Sequence, residues 1–508
     1  MSNYLFDAIQ ANSPGEAPFI RTDDGRIWTY NDALAFSGRL ASAMEMLGIR
    51  PGDRVAVQAE KSAEALMLYL ACIRSGAVYL PLNTAYTLTE LGYFIGDAEP
   101  RLVVVSSAAR ENVEKIAKAH WAIIETLEAN GSGSLLNLAR DEPSDFVDAS
   151  RSPDDLAAIL YTSGTTGRSK GAMLTHANLL SNAMTLRDYW RVTAEDRLVH
   201  ALPLFHTHGL FVATNVTLLA GASMFLLPRF DADEVISLMP QATMLMGVPT
   251  FYVRLLQSPR LDRQWVANMR LFISGSAPLL AETHVEFENR TGHAILERYG
   301  MTETNMNTSN PYDGDRIAGT VGFPLPGVTV RVTDPATGAA LSGEETGMIE
   351  IKGPNVFKGY WRVPEKTAAE FTDDGFFISG DLGKIDRRGY VHIVGRSKDL
   401  VISGGYNIYP KEVEGEIDQL EGVAESAVIG VPHPDFGEGV TAIVVRKPES
   451  ALDEKTILCA LKHRLARYKQ PKRIIFTEDL PRNTMGKVQK NVLRQQYADL
   501  YLDRNRAS

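Results

Sequence analysis

The sequence predicts an α/β protein: a large N-terminal domain of parallel-sheet α/β subdomains plus a small β-rich subdomain, followed by a smaller α+β C-terminal domain. Three observations carry this expectation. Short β-branched runs recur, among them Arg54-Val55-Ala56-Val57, Leu102-Val103-Val104-Val105, Ala157-Ala158-Ile159-Leu160-Tyr161 and Leu271-Phe272-Ile273. Stretches of helical period separate them, such as Ala63-Glu64-Ala65-Leu66-Met67-Leu68-Tyr69-Leu70, and this alternation suits parallel strands covered by helices on both faces. From Thr329 to Tyr390 the texture turns to strand and turn, with Asp334-Pro335, Thr337-Gly338, Asp373-Asp374-Gly375 and Arg388-Gly389 as turn signals.

A domain boundary is expected at the polar stretch Arg396-Ser397-Lys398, dividing the chain into 1–395 and 396–508. Strand and helix alternate again beyond it, over Glu412 to Leu420, Ser426 to Val431 and Thr441 to Val445. With 508 residues, 44% of them hydrophobic, the chain can bury several cores, and disorder as its main state is excluded. Lys and Arg number 52 against 62 Asp and Glu, a net charge of −10, which argues against a dedicated nucleic-acid binder. The only cysteines, Cys72 and Cys459, lie far apart without CxxC spacing, so a reducing, cytoplasmic setting is expected. Met1-Ser2-Asn3-Tyr4-Leu5-Phe6-Asp7 does not read as a signal peptide. From Leu198 to Pro228 no Asp, Glu, Lys or Arg occurs, but Pro203, three histidines, Asn215, Gly209 and Gly221 argue against a membrane span. A helix near Leu210 to Leu219 and a strand near Ser223 to Leu227 are expected there instead.

The sharpest local feature follows an apolar strand: Tyr161-Thr162-Ser163-Gly164-Thr165-Thr166-Gly167-Arg168-Ser169-Lys170-Gly171. Glycines expose backbone N–H groups, hydroxyls add donors, and Arg168 and Lys170 add positive charge, a combination suited to polyphosphate. It is not a Walker A loop, because Lys170 follows Gly167 by three positions and Gly171 comes next. Further along, Tyr299-Gly300-Met301-Thr302-Glu303 sets an aromatic ring that can stack on adenine beside a carboxylate able to hold Mg²⁺. Gly275, Ser276 and Ala277 follow the apolar run ending at Ser274, at a strand end where α/β sheets bind ligands. Gly437-Glu438-Gly439-Val440-Thr441-Ala442 opens no helix and is read as a chance match to a dinucleotide fingerprint. His206-Thr207-His208 lacks a third nearby ligand for zinc.

Together these pieces resemble the AMP-forming adenylating superfamily, which includes acyl-CoA synthetases. The resemblance spans nearly the whole chain, because Gly275-Ser276-Ala277-Pro278, Glu297-Arg298-Tyr299-Gly300-Met301-Thr302-Glu303, Ser379-Gly380-Asp381, Gly395-Arg396-Ser397-Lys398-Asp399, Gly404-Gly405-Tyr406-Asn407-Ile408-Tyr409-Pro410 and Leu480-Pro481-Arg482-Asn483-Thr484-Met485-Gly486-Lys487 occur in the family's order. It implies that ATP is held by Thr162 through Gly167, Lys170, Gly275 through Ala277, Glu297 through Thr302, Asp381 and Arg396, the last two on the ribose. It implies Glu303 and Thr162 on Mg²⁺, Lys398 or Asp399 as the hinge of a mobile C-terminal domain, and Gly404 and Gly405 at coenzyme A. Lys487, Glu303 and His206 would be catalytic, Lys487 bridging the attacking carboxylate and the α-phosphate. Where many relatives have proline before the lysine of the first loop, this chain has Arg168-Ser169-Lys170, and Arg168 contacts either phosphate or the substrate carboxylate.

The acid itself is read from Ala201 to Gly209 and Met246 to Leu255, which resemble the borders and lining of the acyl pocket. Spacing alone leaves Arg254 either on the solvent side or pointing at bound acid. A fatty or aryl acid does not suit an arginine, whereas a dicarboxylic acid supplies a second carboxylate for its guanidinium. The runs His206-Thr207-His208-Gly209-Leu210 and Tyr299 through Asn310 resemble bacterial malonyl-CoA synthetases, which implies Arg254, Ser276 and His206, with Thr207, at the distal carboxylate. The expected substrates are thus malonate, ATP and coenzyme A, with no nucleic-acid or membrane partner. A ligase for methylmalonate or a short monocarboxylate, and a non-catalytic nucleotide-binding protein, are the alternatives.

Overall fold

The apolar runs become central strands of two large sheets in the computed structural model, which describes residues 2–162, 169–403, 406–462, 464–483 and 486–501. Two compact units form: residues 1–329 with 351–377, and residues 330–350 with 378–508. Arg396, where the sequence suggests a boundary, lies within the second unit.

In the first unit, seven strands run in the order Gly359–Tyr360, Lys170–Thr175, Leu156–Thr162, Val78–Pro81, Arg54–Gln58, Leu102–Val105, Ile123–Thr126. The last four are parallel to one another, and each of the central three is apolar enough to be covered on both faces. Leu156–Thr162 and Lys170–Thr175 instead pair antiparallel, with Thr162 opposite Lys170. The first phosphate loop lies between them, and its residues Ser163 through Arg168 fall outside the described residues. The helix Ala63–Ser75 is buried at every position, which explains why it is apolar all round. Ser62 caps its start, and Gly76, at φ 72°, ends it in the left-handed region that glycine adopts without strain.

A second sheet of nine strands runs Phe323–Pro324, Asn305–Ser309, Leu296–Met301, Leu271–Ser274, Met244–Gly247, Arg197–His200, Ser223–Leu226, Pro18–Thr22, Ile27–Thr29. Its middle is parallel, so the ends of Leu271–Ser274 and Met244–Gly247 open on the same edge. The hydrophobic core beneath includes Leu245, Tyr252, Phe272 and Phe287. The charge-free segment folds as strand Arg197–His200, π-helix His208–Thr214, α-helix Asn215–Ala220 and strand Ser223–Leu226. The expected helix and strand are both present, the helix widened over its first half. At that widening the Gly209 carbonyl accepts from Thr214 Oγ1 at 3.0 Å and lies 2.9 Å from His200 Nε2, so side chains take up hydrogen bonding that a regular ladder would use. Among the described residues no helix is long and apolar enough to cross a membrane.

The second unit contains most of a four-stranded sheet, ordered Thr329–Thr333, Gly347–Lys352, Phe377–Ile385, Val391–Arg396, and a five-stranded sheet built on the long hairpin Val423–His433 with Gly437–Arg446. The chance-match glycines Gly437 and Gly439 thus lie in a strand. Helix Pro410–Asp418 packs on this hairpin through Val413 and Ile417, buried with Val428, Val440 and Val444.

Candidate functional site

The strand Leu271–Ser274 ends in Gly275 and Ser276, and the neighbouring strand Leu296–Met301 carries Arg298. Arg298 is only 3% exposed, and its Nε and Nη2 atoms have no hydrogen-bond partner among the described residues. Its guanidinium lies flat against Gly275: a Cβ added there would sit 2.5 Å from Arg298 Cζ, so any other residue would push the arginine aside. Burial lowers the Arg298 pKa to about 9, a large shift for a group that is almost always charged. Next in the chain, Ser276 adopts φ 72°, a conformation costing a non-glycine residue about 1–3 kcal/mol, and holds its Oγ 3.3 Å from His208 Nδ1.

His206 and His208 complete this end of the site. His208 is fully buried and its Nε2 has no partner among the described residues; neither has Thr207 Oγ1. Burial, then the Arg298 charge, lowers His206 to about 4 and holds His208 well below the ordinary imidazole value, so both rings are neutral near pH 7. Buried polar atoms are normally satisfied, and two unsatisfied guanidinium nitrogens within electrostatic reach of His206 and His208 are an environment an anion would complete.

The phosphate side is built differently. Thr162 Oγ1 lies 3.4 Å from Glu303 Oε1, so the strand before the phosphate loop and the carboxylate after Thr302 meet as the sequence suggests. Tyr360 joins them: its hydroxyl is 3.1 Å from Glu303 Oε1 and donates to Glu370 Oε2 at 2.6 Å. Lys170 sits 3.5 Å from Glu370 and 4.6 Å from the centre of the Tyr360 ring, and Lys366 pairs with the same carboxylate at 2.7 Å. Glu303 is 7% exposed. A single buried carboxylate flanked by hydroxyls offers the hard oxygen donors that Mg²⁺ takes alongside phosphate, so these residues fit that ion. Among the described residues no group of three or more His, Cys, Asp or Glu side chains could hold a metal.

Of the remaining expected positions in this unit, Glu297 points to the other side of its strand from Arg298, as alternation demands, and lies 3.4 Å from His284 and 3.3 Å from the Gly319 N–H. Tyr299, Met301 and Thr302 are half-buried. Gly300 follows a register shift and pairs with Met306, and a Cβ there would collide with the Asn305 carbonyl oxygen. Arg254 lies exposed on helix Pro249–Gln257, next to exposed Val253, while Tyr252 and Leu255 fill the core.

Within the second unit, Asp381 and Arg396 are paired in register across two strands and form an ion pair of 2.6 Å. Lys487 lies in their field: burial first, then Arg396, lowers its pKa to about 8, and Asp381 and Asp399 oppose the shift. The Lys487 backbone N–H donates to Asn483 Oδ1 at 2.9 Å, while the Asn483 N–H donates to the Lys487 carbonyl at 2.9 Å. Lys398 and Asp399 form a short 3₁₀ turn, Ser397–Asp399, in which Asp399 is bound to Arg494 at 2.6 Å. Gly404 and Gly405, expected at coenzyme A, lie outside the described residues, as do Thr484 and Met485.

The C-terminal half of this arrangement has its own family match. The AMP-binding enzyme family profile matches residues 6–361, and the profile of its C-terminal domain matches residues 412–487. A feruloyl-CoA synthase of an Amycolatopsis species is 37% identical over 478 residues, 93% of this chain and 94% of that protein. A malonate–CoA ligase of Arabidopsis thaliana is 35% identical over 500 residues, 91% of this chain and 81% of that protein. The crystal structure of ATP-bound MatB from Rhodopseudomonas palustris superposes with a TM-score of 0.97 at 62% identity, covering 99% of this chain and 100% of that one. The paired Thr162 and Glu303, the glycine-backed Arg298 and the lysine beside Asp381 and Arg396 therefore sit in a chain that belongs to the AMP-binding enzyme family.

Proposed function

We propose that this acid–thiol ligase joins malonate to coenzyme A at the expense of ATP, releasing AMP and pyrophosphate. The observation that carries the choice of acid is the buried Arg298 guanidinium, with two nitrogens unpartnered among the described residues and with His206, His208 and Ser276 around it. Malonate keeps one carboxylate ionised after the other has reacted, and a planar guanidinium binds such a group through two charge-assisted hydrogen bonds. The similarity to a malonate–CoA ligase over 91% of this chain supports the same acid. On this reading the second carboxylate meets Arg298, with Ser276, Thr207 and His206 donating or orienting around it, while the exposed Arg254 contributes little.

The reaction divides into two transfers. One carboxylate oxygen of malonate attacks the α-phosphorus of ATP, the bond from that phosphorus to the bridging oxygen breaks, and pyrophosphate leaves. Attack is slowed by like-charge repulsion, and Lys487 as an ammonium relieves it while meeting charge that develops in the transition state. Lys170 and the loop from Thr162 position the phosphates; Arg168 contacts either them or the substrate carboxylate. Glu303 and Thr162 would hold Mg²⁺, which when bound neutralises phosphate charge. Asp381 and Arg396 orient the ribose, and Gly275 through Ala277 and Glu297 through Thr302 border the nucleotide. The thiol of coenzyme A then attacks the acyl carbon of malonyl-AMP, losing its proton as the bond to the phosphate oxygen breaks and AMP leaves. Rotation about Lys398 or Asp399 exchanges Lys487 for Gly404 and Gly405 between the two transfers. Both cysteines are free, which supports a cytoplasmic setting.

The test is turnover of the purified protein with ATP, Mg²⁺ and coenzyme A across malonate, methylmalonate, succinate, acetate, butyrate and benzoate. Preference for malonate is expected. Turnover confined to monocarboxylates would overturn the assignment of Arg298.

A further inference from the structure

Outside the residues already assigned a role, one pair spans elements far apart in sequence. Lys61 lies in the turn between strand Arg54–Gln58 and helix Ala63–Ser75, and its Nζ approaches three atoms: His200 Nδ1 at 3.0 Å, the His200 carbonyl at 2.7 Å and the Leu202 carbonyl at 2.8 Å. His200, wholly buried at the end of its strand, turns its other ring nitrogen to the Gly209 carbonyl at 2.9 Å. The two side chains therefore hold both ends of the turn that carries His206, Thr207 and His208.

Counting protons fixes the charge of this pair. Three carbonyl oxygens can only accept, so each needs a hydrogen, and the nitrogen-to-nitrogen contact needs a fourth. A neutral lysine has two hydrogens on nitrogen and a neutral imidazole one, which leaves one contact as lone pair against lone pair. Lysine as ammonium with neutral, Nε2-protonated His200 satisfies all four, and so does neutral lysine with imidazolium. Two charges are excluded in turn: burial pushes both groups well below their ordinary values, and the Lys61 charge pushes His200 down further. One positive charge shared by the pair is the state that fits.

We propose that Lys61 and His200 form a positioning pair for acid binding: one cation, shared between half-buried Lys61 and wholly buried His200, that fixes the turn from His200 to Gly209 and so the placement of His206 and His208. The inference rests on the malonate reading above. His208 lies within electrostatic reach of Arg298 and His200, so the positive charge shared by the pair adds to the field that meets an anion as well as holding the turn. No contact with substrate is assigned to either residue.

The test uses the full chain. In Lys61→Met the malonate KM should rise about tenfold, the effect of one buried contact set left unsatisfied, with the ATP KM within about twofold. His200→Gln keeps Lys61, an oxygen to accept from it and an N–H for Gly209, so its malonate KM should stay within about threefold of the parent. Equal increases in both KM values for Lys61→Met, or a Lys61→Met enzyme with unchanged malonate KM, would overturn the proposal. A measurement on the unaltered protein stands beside these should Lys61→Met not fold: ¹⁵N-histidine NMR near neutral pH should show His200 with its Nε2 proton in place, and a ring protonated on Nδ1 alone would contradict the shared-cation state. A parent enzyme that ignores malonate would instead reject the reading on which the inference rests, so the two failures are separable.

Discussion

Arg298 and Glu303 lie five residues apart in one motif, yet their surroundings are opposite. At Arg298, two guanidinium nitrogens lack partners among the described residues, as does Nε2 of His208, which lies within reach of the Arg298 charge. Around Glu303, carboxylate, hydroxyl and ammonium are linked from Thr162 through Tyr360 and Glu370 to Lys170 and Lys366. The Glu303 side, proposed for the nucleotide, is held together by its own groups. The Arg298 side, proposed for the acid, keeps a buried cation underpaired, which costs stability and leaves binding capacity for an anion. On the proposed reading that difference teaches how one family frame can change its acid: the end proposed for phosphate is a connected network, whereas the end proposed for the acid is a few buried, unpaired polar atoms that a different side chain would redirect.

Variants should separate the two ends. The largest effect is expected from Lys487→Ala, since Lys487 is proposed to serve the transfer itself: malonate-dependent exchange of pyrophosphate into ATP should fall about a thousandfold, with melting temperature little changed. Exchange at the parent rate would remove Lys487 from the chemistry. At the paired end, Glu303→Gln should reduce turnover about a hundredfold, raise the Mg²⁺ concentration needed for half-maximal rate, and lower stability by about 1 kcal/mol because the network is broken. Thermal denaturation together with a Mg²⁺ titration checks this, and an unaltered Mg²⁺ requirement would place the ion elsewhere.

A smaller effect comes from pH. Burial depresses Lys487 to about 8, and its proposed role requires the ammonium, so kcat/KM for malonate should hold below that value and fall up to about tenfold per pH unit above it. For folding the sign is the reverse: between about 8 and the ordinary 10.5 the unfolded chain binds the proton that the folded chain has lost, so this group's contribution to stability rises with pH across that interval. A flat kcat/KM profile from pH 7 to about 9 would contradict the role given to the charged form. The smallest effect is expected for Arg254→Ala, within about twofold on every acid, since an exposed helix charge contributes little. A loss confined to malonate would transfer the second carboxylate from Arg298 to Arg254.

Much of this was legible before the structure, and the reasons are local. Strand and helix alternation follows from periodicity, and Gly275 and Ser276 fall at a strand end because the apolar run stops at Ser274. The meeting of Thr162 with Glu303 was implied by the motifs' shared nucleotide. Arg298 was readable only as one letter of the nucleotide motif; strand alternation sets it on the opposite face from Glu297, but which face meets the acid depends on Gly275 of the adjacent strand. Helix spacing likewise left Arg254 undecided, because Val253 beside it is also exposed and the apolar face is already filled by Tyr252 and Leu255. Lys61 and His200 are 139 residues apart, and no periodicity or motif links them.

The most direct measurement is Arg298→Met, read by kcat/KM for malonate and for propionate and by thermal denaturation. Removing a buried, underpaired cation should leave the melting temperature unchanged or higher while kcat/KM for malonate falls about a hundredfold and that for propionate far less. Equal losses on both acids, or a lower melting temperature with malonate kinetics intact, would show that Arg298 serves the fold and not the second carboxylate.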